Sequence, residues 1–259
     1  MKNIKHYLPA VLCALLAGAG LVCVNYTRQS ALADGASVWQ QVLFSCSILL
    51  TLAGIVGFLA AILPSRQTKP TTREMTLAAL FAALCYIGFT FFKIDIPVGS
   101  EKTAFHLGNV FCVLAALFLG GLWGGMAGAV GMTIADLTTG YITSAPKTFL
   151  LKLCIGVITG FVAHRVLKLR QKNDSRAATV AAGISSFCGM AFNVVADPLV
   201  GYYYKTYVLG VPQQAANIWA KMGAVTTLVN AIVAVIAATI FYTALAPALK
   251  KAGFHSNNT

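Results

Sequence analysis

The chain has 259 residues, of which 58% are hydrophobic and 10% charged, where a soluble domain carries roughly 25% charged residues. That balance, with a mean hydropathy of +0.77, excludes an ordinary water-soluble enzyme. The net charge of +12 raises a nucleic-acid partner, which the placement of the basic residues then argues against.

Crossing roughly 30 Å of hydrocarbon takes about 20 apolar residues. Apolar stretches run over 8–24, 38–63, 75–92, 107–119, 122–137, 149–167, 177–196 and 218–245. The fourth and fifth are short and joined through glycines. At the N-terminus, Lys2 and Lys5 precede the first stretch, and Ala31-Leu32-Ala33 offers a cleavage pattern before Asp34. A retained helix and a signal peptide are both open there. Residues 1–64 read as a two-helix prefix and 65–73, inside the polar run PSRQTKPTTR, as a linker. Residues 74–249 read as a six-helix core and 250–259 as a cytoplasmic tail. The expected fold is an all-α polytopic membrane protein, a six-helix core with two N-terminal helices.

With both termini in the cytoplasm, twelve Lys and Arg residues fall inside, from Lys2 and Arg66 to Arg176 and Lys251. Seven fall outside, among them Lys93, Lys102, Lys147 and Lys152. This follows the positive-inside rule. The basic excess is therefore a matter of topology and lipid headgroups, and no nucleic-acid partner is expected. The N-terminus lies outside only if the first helix is cleaved.

The segment LFLGGLWGGMAGAVGMTIADLTTGY places Gly120, Gly124 and Gly128 at four-residue spacing. Small residues so spaced let membrane helices approach closely. The same segment carries Asp136 at the edge of an apolar stretch, and an ionisable group there is a functional candidate. Under the assigned topology Lys93, Asn109, Asp136, Tyr141, Lys152, Asn193, Asp197 and Trp219 gather near the outer helix ends. They are the expected substrate-binding residues. Lys152 lies about a turn inside its helix and needs a carboxylate, a carbonyl or a ligand, with Asp136 and Asp197 as its possible partners. Asn193 and Asp197, four apart, share a helix face, unless Asp197 instead caps the helix before Pro198.

The seven cysteines include no CxxC pair, so buried thiols are expected and neither metal nor cofactor. No GxxxxGK[ST] loop, HExxH or GxSxG occurs, and seven acidic residues leave few general acids or bases. The chain is not expected to be an enzyme.

Four stretches carry a family resemblance. They are MTLAALFAAL with alanines at 78, 79, 82 and 83; KIDIPVGSEKTAFHLGNVFCVLAALFLGG; WGGMAGAVGMTIADLTTGYITSAPKTFLLK; and ANIWAKMGAVTT. In order and spacing the core resembles the substrate-binding S component of energy-coupling factor (ECF) vitamin transporters, the branch of riboflavin and vitamin-precursor carriers. The two-helix prefix departs from the usual six-helix form. The resemblance implies a capture subunit in the cell membrane that binds a vitamin-like molecule under outer loops 93–106 and 138–147. It implies docking through Ala78, Ala79, Ala82 and Ala83 on a coupling membrane subunit driven by two ATPase subunits. A self-sufficient, ion-coupled secondary transporter of a small heterocycle is the alternative, although no inverted internal repeat is visible.

Overall fold

Thr71 opens the first core helix with a reciprocal cap. Its hydroxyl accepts from the Glu74 amide at 3.3 Å, and the Glu74 carboxylate accepts from the Thr71 amide at 3.0 Å. The computed structural model describes residues 71–99, 101–172 and 174–251, with residues 15, 16, 19, 22 and 23. The prefix helices expected within 1–64 and the tail beyond 251 otherwise lie outside the described residues. The chain divides into two units, Met1–Lys69 with Lys205–Val211, and Pro70–Tyr204 with Pro212–Thr259. The second unit is the one described below.

Its order is α1 (Thr72–Thr90), a hairpin of β1 (Lys93–Val98) and β2 (Glu101–His106), α2 (Gly108–Leu119), α3 (Gly121–Thr138), a short 3-10 turn (Ile142–Ser144), α4 (Ala145–Phe161), α5 (Ser175–Tyr203) and α6 (Gln213–Lys251). Four helical stretches, Thr72–Thr90, Ile142–Val166, Ser175–Val208 and Gln213–Leu249, are long and apolar enough to cross a membrane. The fold is therefore all-α and polytopic, as expected for the core.

Three local readings change. The loop 93–106 is an antiparallel hairpin pairing Lys93 with His106 and Val98 with Glu101; the alternation in KIDIPV is a period-two signal. Helix α4 begins at Ala145, so Lys152 lies two turns inside it, about 10 Å from its start. Helix α5 runs through Pro198 to Tyr203, so Asp197 stands within the helix rather than capping it.

Helix α2 has 12 residues, and all but Phe111 are buried. At about 18 Å it cannot span the hydrocarbon, and it runs through the centre of the bundle with its neighbours around it. Its last carbonyls are satisfied by basic side chains: Arg170 donates to Phe118 O at 2.8 Å and His164 Nε2 lies 3.3 Å from Ala116 O. Cations suit a helix C-terminus, where unpaired carbonyls collect.

The glycine stripe is internal packing. A Cβ on Gly124 would strike the Ala116 backbone, one on Gly128 the Cys112 side chain, and one on Gly156 or Gly160 the backbone of Gly125 or Gly121. Helices α3 and α4 thus touch backbone to backbone. Gly120 makes the turn between α2 and α3 at φ 88° and ψ 174°, an extended positive-φ conformation that glycine adopts without strain.

Packing is inverted relative to a soluble protein. On α6, Val225, Leu228, Ile232, Ile236 and Ile240 are exposed, while Thr226, Thr227, Asn230, Ala231, Ala234 and Ala238 are buried. Lipid tails solvate aliphatic chains as well as a core does, so helices associate through small residues and polar contacts. The polar residues consequently turn inward.

Candidate functional site

The antiparallel register brings polar residues from every helix except α1 to one end of the bundle. Helices α4 and α5 meet where a Cβ on Gly189 would strike Thr159. One turn and two turns from that crossing come Asn193 and Asp197 on α5, matched by Lys152 and then Thr148 and Lys147 on α4. Lys147 donates to Asp197 at 2.7 Å, and Thr227 of α6 donates to its other oxygen at 2.7 Å. Asp197 is thus committed to Lys147 and Thr227, not to Lys152.

Lys152 is 7% exposed, and among the described residues its ammonium has no hydrogen-bond or ion-pair partner. Cys112 donates to its carbonyl at 3.7 Å, which places Asn109, one turn earlier on α2, beside the same end of α4. Asn109, Asp136 and Asn193 are 2%, 3% and 1% exposed. Each holds a buried side-chain oxygen without a partner, and His106 holds a buried Nδ1 in the same condition. Buried polar atoms are nearly always satisfied. Several convergent exceptions, next to an unpaired ammonium, describe a place where something else supplies the partners.

Above this cluster the hairpin carries a second network. Lys102 and Lys93 donate to Asp95 at 2.9 and 3.2 Å, and Tyr141 donates to it at 2.8 Å. Lys102 also reaches Thr139 O at 3.2 Å. The two ammonium groups lie 4.8 and 5.1 Å from the Tyr141 ring centre, near enough for cation–π attraction. An open depression of about 430 Å³ beside them is lined by Pro97, Lys102, Gly140, Tyr141 and Ile142–Ser144.

Burial raises Asp95, but the hydrogen bonds from Lys102, Tyr141 and Lys93 outweigh it and hold the carboxyl below its ordinary value of 3.8. Burial and the Asp95 carboxylate keep Tyr141 protonated. His106, at the end of β2, is pushed down to about 3 by burial and by the charges of Lys152 and Lys93. Its imidazole is neutral at pH 7.

A group depressed on folding stabilises above its unfolded value and ceases to as pH falls through its folded value. The Asp95 network is therefore complete above about pH 5, and its contribution is lost on acidification below 4. Asp95→Asn is expected to lower the melting temperature at pH 7 and to converge on wild type in strong acid. A thermal-melt series against pH checks this.

Of the expected binding residues, the structure brings Asn109, Asp136, Lys152, Asn193 and Asp197 into one cluster. Lys93 and Tyr141 belong to the Asp95 network over it. Trp219 is half-buried and shares the α6 stripe of Thr226 and Asn230, about 12 Å before Thr227. Thr148, Thr227, Asn230 and His106 complete the cluster and were not among the expected residues. Threonines and one asparagine in an apolar helix give no signal until that helix is known to face the site. The four alanines divide: Ala78 and Ala82 pack against the core, and Ala79 and Ala83 are exposed.

Among known proteins, a stretch of 68 residues is 35% identical to an uncharacterized protein of Pyrococcus woesei. The match covers 26% of this chain and 45% of that relative's length. No solved structure matches. The family model of the ECF-type riboflavin transporter S component matches residues 69–247, the same segment that builds the six helices, the hairpin and the buried cluster, and the chain belongs to that family.

Proposed function

We propose that the chain captures riboflavin, or a closely related ring, at the hairpin end of the bundle and delivers it through partner subunits. The observation that supports this most is the set of unpartnered buried groups: Lys152, Asn109, Asp136, Asn193 and His106. Together they offer acceptors on several sides and one cationic donor. This suits a flat ligand with both N–H or O–H donors and carbonyl acceptors, held in a pocket with few but convergent polar groups.

In this reading the site end faces outward, both termini lie in the cytoplasm, and the hairpin with the 138–147 segment closes over the ligand. The exposed pair Ala79 and Ala83 forms the face that docks on a coupling membrane subunit carried by two ATPases. The chain has no nucleotide loop of its own. Ligand and partner must prefer different orientations of the protein, since equal affinity for both shifts nothing.

The test is riboflavin titration of the purified full chain by flavin fluorescence, followed by uptake with and without the coupling module. Saturable binding with uptake only in the presence of the module is expected. Ion-dependent uptake by the chain alone would favour a secondary carrier. Ala79→Leu combined with Ala83→Leu is expected to keep riboflavin Kd within about twofold and abolish module-dependent uptake. Undiminished uptake would remove this face from the docking surface.

A further inference from the structure

Asn230 makes a contact that neither the family match nor a ligand accounts for. Its side-chain amide is 6% exposed and spans two backbone groups of β2. Nδ2 donates to Ala104 O at 3.0 Å, and Oδ1 accepts from the His106 amide at 3.0 Å. Residues two apart on a strand direct their backbone groups to the same edge. This is the edge turned away from β1, and an unpaired edge offers a carbonyl and an N–H that need partners. One carboxamide supplies both, as a neighbouring strand would.

A turn earlier on α6, the Thr226 hydroxyl lies 3.0 Å from that of Thr103. Three hydrogen bonds therefore fasten β2 to α6, two of them through one residue. The strand ends at His106, whose ring packs 4.6 Å from Phe89 and whose buried Nδ1 has no partner. The Lys93 end of β1, paired with His106, is carried with it.

We infer that Asn230 is a positioning residue that seats strand β2, and with it His106, over the buried cluster, and so sets how long a captured molecule stays bound. The effect on retention rests on the reading of this end as a binding site; the latch itself does not. Opening the hairpin requires breaking both hydrogen bonds of the Asn230 carboxamide in a poorly hydrated place, so the latch slows departure more than arrival. An aspartate cannot replace it, because it keeps the acceptor for His106 but sets a carboxylate oxygen against Ala104 O.

The experiment uses the full chain in nanodiscs with riboflavin as the probe, followed by stopped-flow fluorescence. Asn230→Ala and Asn230→Asp are expected to raise koff at least tenfold with kon within about threefold. Thr226→Val, which removes one peripheral bond, is expected to stay within about threefold in both. Hydrogen exchange over residues 101–107 without ligand is expected to quicken in both Asn230 variants while the helices keep wild-type protection. A wild-type koff in a folded Asn230→Ala protein overturns the role in retention, and unchanged exchange in the hairpin overturns the latch. If the wild type does not bind riboflavin, the ligand reading fails and the exchange result alone decides the latch. Should Asn230→Ala not fold, Asn230→Gln shifts the same amide by one methylene. A faster koff or hairpin exchange sustains the inference, and wild-type values for both overturn it.

Discussion

Replacing Lys152 with methionine is expected to weaken riboflavin binding by about ten- to a hundredfold while leaving the unliganded protein as stable as wild type, or more so. A buried ammonium without a partner is a cost that the fold carries, and methionine fills similar volume without it. A charge-assisted hydrogen bond to ligand contributes about 1.5–3 kcal/mol, and a hundredfold change in Kd is about 2.8 kcal/mol. The two effects run in opposite directions, as they do where a site is kept at the expense of stability. Fluorescence titration and a thermal melt, on the same preparation, read both. A lower melting temperature with unchanged affinity would make Lys152 a structural charge, held in place by the fields of Asp197 and Asp136.

Gly156→Val should prevent the core from assembling. Helices α3 and α4 approach until Gly156 and Gly160 lie against Gly125 and Gly121, and a Cβ at Gly156 would overlap backbone atoms that no side-chain rotation can move. Overpacking against side chains costs about 1–3 kcal/mol. Overlap with rigid backbone exceeds that range, because two helices must separate along their whole contact and forfeit the close packing that holds membrane helices together. Loss of a monodisperse protein on size exclusion is the expected result. Gly223, with nothing within 4 Å of an added Cβ, is the control. Gly223→Ala on α6 is expected to be neutral or to stabilise by up to about 1 kcal/mol. A well-folded Gly156→Val protein would mean that the α3–α4 contact is looser than its geometry requires.

The two experiments probe different parts of one arrangement. The glycine contact sets the register of α3 against α4. That register places Asp136 near the start of α4, within electrostatic reach of Thr148 and Lys152. The α4–α5 crossing at Gly189 does the same for Lys152 and Asn193. A closely packed lower bundle holds the polar end in place, while β2 of the hairpin above it is fastened to α6 by three side-chain hydrogen bonds, two of them from Asn230, and the Asp95 network ties the hairpin to Tyr141 and Thr139.

Much of this protein is legible in its residues taken in order. Apolar runs of membrane length and few charges are local properties, and they suffice for an all-α polytopic chain. The small-residue spacing of 120, 124 and 128 is also local, and it announces a close helix contact. The polar residues near one set of helix ends follow from the topology once the spans are placed.

What the chain order leaves open is which residue meets which. Lys147 and Lys152 both lie between the candidate carboxylates Asp136 and Asp197 in the sequence, and only the crossing of α4 with α5 assigns Asp197 to Lys147 and leaves Lys152 without an ion pair. The alanines at 78, 79, 82 and 83 make two equivalent stripes, until packing covers Ala78 and Ala82 with the core and leaves Ala79 and Ala83 exposed. Asn230 reads as one polar residue in a long apolar helix, and its function appears only when the free edge of β2 lies against it. The reason is physical. In a membrane the inward and outward faces of a helix are nearly equal in hydrophobicity, so periodicity marks the helix but not its neighbour. Partner choice is made by shape and by the pairing of buried polar groups, and both exist only once the helices have packed.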